Sequence, residues 1–184
     1  MKVIAICGMK RVGKDTAAML IAQEFGYKHV KISGPLKKVC NILFGFSHDQ
    51  MENETKDCID ERIGISPRKA LQFVGTEMMQ YKIQELLPTI GRSFWINTLL
   101  RQEEGPIVIS DMRFLHEAKA IKEQYGNESF IIKVTRPDNS NVDDEHASEK
   151  EWSLIKEDVS IVNNKGIPDF LAQVWKVLSE ANSS

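Results

Sequence analysis

The residues best equipped for chemistry lie near the start of the chain, in Gly8-Met9-Lys10-Arg11-Val12-Gly13-Lys14-Asp15-Thr16. Two glycines separated by four residues let the backbone curl until its N–H groups point inward, the arrangement that cradles phosphate oxygens. Lys14 adds a point charge within reach of β- and γ-phosphate oxygens. Asp15 stands where the phosphate-loop formula places the hydroxyl residue that meets Mg2+, and the hydroxyl comes one place later, at Thr16. Two roles are open for Asp15: holding Mg2+ through water, or capping the helix that follows. A second carboxylate ends the apolar run Ile107-Val108-Ile109-Ser110-Asp111. Strand ends of this kind face the ligand crevice of open α/β sheets, so Asp111 is expected near Mg2+ and phosphate, with a helix N-cap as its alternative. Arg113 could fork onto an acceptor phosphate, or form an i,i+4 ion pair with Glu117.

Elements must hold these groups in place. Five short runs rich in Val and Ile predict strands at Val3–Cys7, Val30–Ile32, Ile107–Ser110, Phe130–Val134 and Val159–Val162. Most are apolar on successive residues, as strands buried on both faces should be. Helical spacing over Asp15–Phe25, Phe114–Tyr125 and Pro168–Leu178 separates or follows them, the first two closed by Gly26 and Gly126. Strand–helix alternation predicts parallel pairing through right-handed crossovers. Two intervals are too long for simple crossovers. Ser33 to Pro106 carries helical periodicity in Pro67–Leu87 and Arg92–Arg101, and Arg136 to His146 is polar with few apolar anchors. The first is expected to be a small helical subdomain, and the second a lid.

Composition narrows the class further. The 184 residues carry 24 Lys+Arg against 26 Asp+Glu, a net charge of −2, with 42% hydrophobic residues. A chain of this length buries roughly 70% of the surface its unfolded form exposes, enough for one self-sufficient domain. No basic block suggests a nucleic-acid polymer, and no apolar run approaches the roughly 18 residues of a membrane span. Cys7, Cys40 and Cys58 are odd in number and lack C-x-x-C spacing, so reduced thiols in a cytoplasmic protein are expected.

Several blocks together carry a resemblance. Gly8 to Thr16 as G-x-K-R-x-G-K-D-T is followed by Ser33-Gly34-Pro35-Leu36-Lys37 and by Arg68 to Glu77 as R-K-A-L-Q-F-V-G-T-E. Ser110 to Glu117 as S-D-M-R-F-L-H-E, Val134-Thr135-Arg136-Pro137 and His146-Ala147-Ser148-Glu149 complete the set. In order and spacing, over almost the whole chain, these resemble the deoxynucleoside monophosphate kinases of phages. The resemblance implies a P-loop kinase fold: a five-stranded parallel sheet of order 2-3-1-4-5 with helices on both faces, a monophosphate-binding insertion over about 34–106 and a lid over about 136–149. It implies transfer of the ATP γ-phosphate to a deoxynucleoside monophosphate, with Mg2+. The ATP phosphates fall to Gly8, Lys10, Arg11, Val12, Gly13, Lys14, Asp15 and Thr16. The monophosphate falls to Lys10, Leu36, Lys37, Arg68, Gln72, Thr76, Arg113, Glu117 and Glu149, and Arg136 reaches the transferred group. Asp15 and Asp111 face the metal, directly or through water. Partners are then small-molecule nucleotides, with neither nucleic-acid polymer nor membrane, in the cytoplasm (the host's, for a viral chain); a homodimer is left open.

Two other readings share parts of this pattern. A P-loop kinase of another phosphorylated metabolite would use the same charged clamps. A regulatory GTP switch would need an N-K-x-D block, and Asn164-Lys165-Gly166-Ile167 lacks the Asp.

Overall fold

Val3–Cys7 is a strand whose five side chains are all buried, which requires cover on both faces. It is β1, the centre of the sheet. The computed structural model describes residues 1–52, 54–137 and 151–182. These divide into two units, Met1–Lys31 with Glu103–Ser184, and Ile32–Gln102.

In the first unit α1 (Lys14–Phe25) leads to β2 (Lys28–Val30), and β3 (Ile107–Met112) is followed by α6 (Leu115–Tyr125), β4 (Ser129–Thr135), β5 (Val159–Val162) and α7 (Ile167–Asn182). The strands pair in the order β2-β3-β1-β4-β5, all parallel, as the resemblance implies. Register is tight at the centre: Ile4 lies between Val108 and Phe130. Ile4 and Ile6 point to one face, into a buried cluster with Ala17 and Ile21 of α1 and Phe170 and Val174 of α7. Val3, Ala5 and Cys7 alternate to the other face and are equally buried. All five strand carboxyl ends therefore meet at one edge of the sheet.

Two strand boundaries depart from expectation. The second strand is Lys28–Val30 rather than Val30–Ile32, and its first two residues are polar because it is an edge strand, exposed at Lys28. The third runs on through Asp111 to Met112. Asp111 therefore belongs to the strand and does not cap α6, whose N-cap position is Phe114.

The second unit is helical: α2 (Ser33–Phe44), α3 (His48–Glu52), α4 (Pro67–Gln72) and α5 (Phe94–Gln102). The predicted run Pro67–Leu87 is three pieces, α4, a π-helical stretch Phe73–Tyr81 and a 3-10 turn Lys82–Glu85. Ser66 caps α4, accepting from the Lys69 N–H, and Pro67 fills its first position. Within the wider π coil Gly75 is buried, and a Cβ there would lie 2.7 Å from Leu36 Cδ2. Trp95 of α5, only 7% exposed, donates its Nε1–H to the Gly75 carbonyl at 2.8 Å. Leu36, Gly75 and Trp95 thus lock α2, the π stretch and α5 together. Among the described residues no helix is long and apolar enough to cross a membrane.

That lock predicts a measurable cost. Trp95→Phe keeps most of the apolar ring but loses the buried hydrogen bond, and should destabilise the fold by about 1–3 kcal/mol. Urea denaturation of the two proteins checks this, and an unchanged midpoint would contradict the role assigned to the indole N–H.

Candidate active site

The turn between β1 and α1 depends on backbone shapes that few side chains permit. Gly8 has φ +143° and Gly13 φ +108°, both in the region that favours glycine. A Cβ on Gly8 would sit 2.2 Å from the Val134 carbonyl oxygen of β4. Arg11, at the exposed apex, is the one described non-glycine residue with positive φ, at 64°. Strain of this kind persists only where the surroundings enforce it. Here Val12, 1% exposed, is anchored in the core beneath the apex, and its carbonyl accepts from Asn163 Nδ2 at 2.9 Å. Asn163 is itself fixed just beyond β5, its N–H donating to the Thr135 carbonyl at 2.8 Å.

Lys14 opens α1 and is 8% exposed. Its Nζ donates to the carbonyls of Gly8 at 2.8 Å and Met9 at 2.5 Å. The loop is thus wrapped around the ammonium, with the glycine-rich backbone on one side and the start of the helix on the other. Lys10 is partly buried and Arg11 exposed on the same loop, and Thr16 is partly buried in the first turn.

Asp15 does not cap its helix; the N-cap position belongs to Gly13. Its carboxylate instead meets three groups from β2, β3 and their ends. Ser110 Oγ donates to Oδ1 at 2.6 Å, Lys31 Nζ lies 3.2 Å from Oδ1 and 3.3 Å from Oδ2, and His29 Nε2 lies 3.8 Å from Oδ1. Burial would raise the Asp15 pKa, but the Ser110 hydroxyl and Lys31 outweigh it and hold the carboxyl below its ordinary value. Burial likewise lowers the His29 pKa, against the fields of Asp15 and Asp111. Asp111 lies at the end of β3, partly buried. Among the described residues no three His, Cys, Asp or Glu side chains converge on one point. A cation here would draw its remaining ligands from water and phosphate, which is how Mg2+ binds beside one or two carboxylates. The donor set fits that ion.

Arg113 follows β3, and Glu117 secures the backbone beneath it. Glu117 is 7% exposed, and its Oε2 accepts from the N–H of Arg113 at 2.8 Å and of Phe114 at 3.0 Å. The Leu115 N–H donates to Glu151 at 3.3 Å. Glu117 thus satisfies, from inside the fold, the two amides that lead into α6. Burial pushes its pKa up to about 7, with the two N–H groups and Arg113 pulling the other way. Arg136 is exposed immediately after β4.

The other expected residues lie in the helical unit. Lys37 Nζ is 2.5 Å from Glu52 Oε1. Arg68 forks onto Asp57, with Nη2 3.0 Å from Oδ2. Leu36 packs on Gly75, while Gln72, at the end of α4, and Thr76, in the π stretch, are exposed. Trp95 belongs to the core. Glu149, His146 and the lid expected over about 136–149 fall outside the described residues, apart from Arg136 and Pro137. Asn163, His29, Lys31 and the Ser110 hydroxyl were not legible as site residues; only Ser110 had a signal, its place beside Asp111.

With this geometry in view, a family model described as deoxynucleotide monophosphate kinase matches residues 2–62 and 45–174. The chain belongs to this family. Among curated proteins, it is 35% identical over 194 residues to one of Acanthamoeba polyphaga mimivirus named "Putative deoxynucleotide monophosphate kinase", covering 99% of this chain and 98% of that one. Two solved structures are similar in fold. Shikimate kinase from Aquifex aeolicus vf5 superposes with a TM-score of 0.53 at 15% identity, covering 98% of each chain. A gluconokinase from Sinorhizobium meliloti 1021 gives 0.51 at 10% identity, covering 97% of this chain and 91% of that one. The fold is therefore that of P-loop kinases, and family membership makes this a phosphotransferase acting on nucleotide monophosphates.

Two measurements follow from the kinase's site. Gly26→Ala has only a left-handed backbone to strain, since nothing lies within 4 Å of the added Cβ. It should cost about 1–2 kcal/mol. Gly8→Ala also drives a methyl group into the Val134 carbonyl, so its loss of melting temperature should be clearly larger; equal losses would contradict the close approach. For Glu117, a folded pKa raised from 4.5 to about 7 means the folded state holds a proton that the unfolded chain releases. Its stabilising contribution is full below the unfolded value and is lost as pH rises through the folded one. Glu117→Gln should therefore flatten the decline in stability between about pH 5 and about pH 7.5, and an unaltered slope would contradict this.

Proposed function

We propose that ATP is the phosphoryl donor and that Gly8 to Thr16 hold its phosphates, with a deoxynucleoside monophosphate as acceptor. The observation that carries this reading is Lys14: a buried ammonium at the mouth of a strained glycine loop, where phosphate oxygens can take over from the carbonyls of Gly8 and Met9. Lys14 and the loop amides orient the donor, and the dipole of α1 favours its negative charge. Mg2+, when bound, would neutralise charge on the phosphates, held by Asp15 and Asp111 directly or through water. The helical unit Ile32–Gln102 is the monophosphate-binding insertion, with Leu36, Lys37, Arg68, Gln72 and Thr76 as its contact residues. Arg113, whose backbone Glu117 fixes, supplies a planar fork for the acceptor phosphate, and Lys10 a second charge. Arg136 meets the transferred group.

No general base is needed, because the acceptor is already an anion. Catalysis then rests on alignment and charge neutralisation. Three free thiols, two of them buried, and a near-neutral charge suit a cytoplasmic enzyme working on small nucleotides.

The test is ADP release from ATP and Mg2+ with each ribo- and deoxynucleoside monophosphate in turn, for wild type and Lys14→Ala. At least one deoxynucleoside monophosphate should support turnover. Lys14→Ala should lower kcat by about 10²–10³-fold, the usual effect of deleting a group aimed at transition-state charge. Turnover with none of the acceptors, or undiminished turnover in a folded Lys14→Ala protein, would contradict the proposal.

A further inference from the structure

Asp15 and Ser110 are 95 residues apart in sequence, yet Ser110 Oγ lies 2.6 Å from Asp15 Oδ1. His29 Nε2 lies 2.8 Å from the same hydroxyl oxygen. These three groups admit one direction of hydrogen bonding. A carboxylate only accepts, so the Ser110 proton points to Asp15. Ser110 then offers His29 a lone pair, and His29 Nε2 must carry hydrogen. The chain reads His29 Nε2–H to Ser110 Oγ–H to Asp15 Oδ1.

We propose that Ser110 and His29 are positioning residues for the metal-facing carboxylate: they spend Oδ1 of Asp15 on the protein and turn its remaining lone pairs toward the hydrated Mg2+ of a bound nucleotide. The proposal rests on the reading of Gly8 to Thr16 as the ATP site. The frame behind the relay is rigid. His29 and Ser110 come from hydrogen-bonded neighbouring strands, with His29 opposite Val108, and Ser110 is 1% exposed. The Asp15 side chain, by contrast, is 61% exposed, and without a tether it would rotate into water. Lys31 marks the outcome, its ammonium within 3.3 Å of both carboxylate oxygens, so the tethered group already presents a face that attracts a cation. The arrangement also accounts for the departure from the phosphate-loop formula. In the general pattern the loop brings the hydroxyl and the neighbouring strand the carboxylate. Here the helix start brings a carboxylate, and the strand brings the hydroxyl that holds it, one residue before Asp111.

Calorimetric titration with ADP, with and without Mg2+, tests this by measuring how far Mg2+ tightens ADP binding. In wild type Mg2+ should tighten it. Ser110→Ala and His29→Leu should each lose about tenfold of that gain, the usual scale for groups that orient a metal ligand, with metal-free ADP affinity unchanged. His29→Gln, which can again present an N–H toward Ser110, should recover it. Nitrogen NMR of the His29 ring should show hydrogen on Nε2 in wild type. His29 sits on an edge strand with its side chain 24% exposed, so its variants answer the question even if Ser110→Ala fails to fold. An undiminished Mg2+ effect in both variants, or an equal fall in metal-free ADP affinity, would overturn the positioning role alone. A wild-type protein indifferent to Mg2+ would overturn the metal-facing role of Asp15 as well.

Discussion

A buried ammonium held by the carbonyls of its own loop is the interaction on which the rest of the site depends. Removing a cation from water is costly unless strong partners replace the hydration. Lys14 obtains carbonyl oxygens of Gly8 and Met9 only because the backbone doubles back between β1 and α1. That turn in turn demands positive φ at Gly8, Arg11 and Gly13, and a backbone approach at Val134 that leaves no room for a Cβ on Gly8. Asn163 and the buried Val12 hold the strained apex from below. A central parallel strand, two glycines and one asparagine from the far end of the chain therefore serve a single charge.

The same logic explains the surroundings. Because the sheet is parallel, β1, β3 and β4 all end at one edge, and each brings candidate site residues there: Lys14 after β1, Ser110 and Asp111 on β3, Arg136 after β4. Helix α6 begins at that edge too, and from the interior Glu117 accepts from the N–H groups of Arg113 and Phe114 just before it, which fixes the backbone that carries the Arg113 side chain. Charge is balanced locally: Asp15 meets Lys31, and Lys37 and Arg68 of the helical unit meet Glu52 and Asp57.

Much of this was legible in the sequence where the constraint is local. Glycine spacing, the following lysine and the flanking apolar strand identify the loop because each residue acts on its neighbours. The central strands were legible because burial on both faces leaves only apolar residues. Apolar patterning puts the edge strand β2 two residues late, since Lys28 and His29 have no need to be apolar there. Helix α2 carries Gly34 and Pro35 in its first turn, where proline is tolerated but local helical patterning is weak. The π stretch was invisible because widening a coil by one residue hardly alters apolar spacing over nine residues. Contacts between Asp15 and Ser110, or Asn163 and Val12, join residues 95 and 151 positions apart and leave no mark on local pattern.

The most direct measurement is a crystal structure of this kinase with ADP and Mg2+ bound. The account predicts the β-phosphate inside the loop of Gly8 to Gly13, taking hydrogen bonds from its amides, with Lys14 Nζ turned from the carbonyls of Gly8 and Met9 onto a phosphate oxygen. A nucleotide bound elsewhere, with Lys14 still on those two carbonyls, would contradict it.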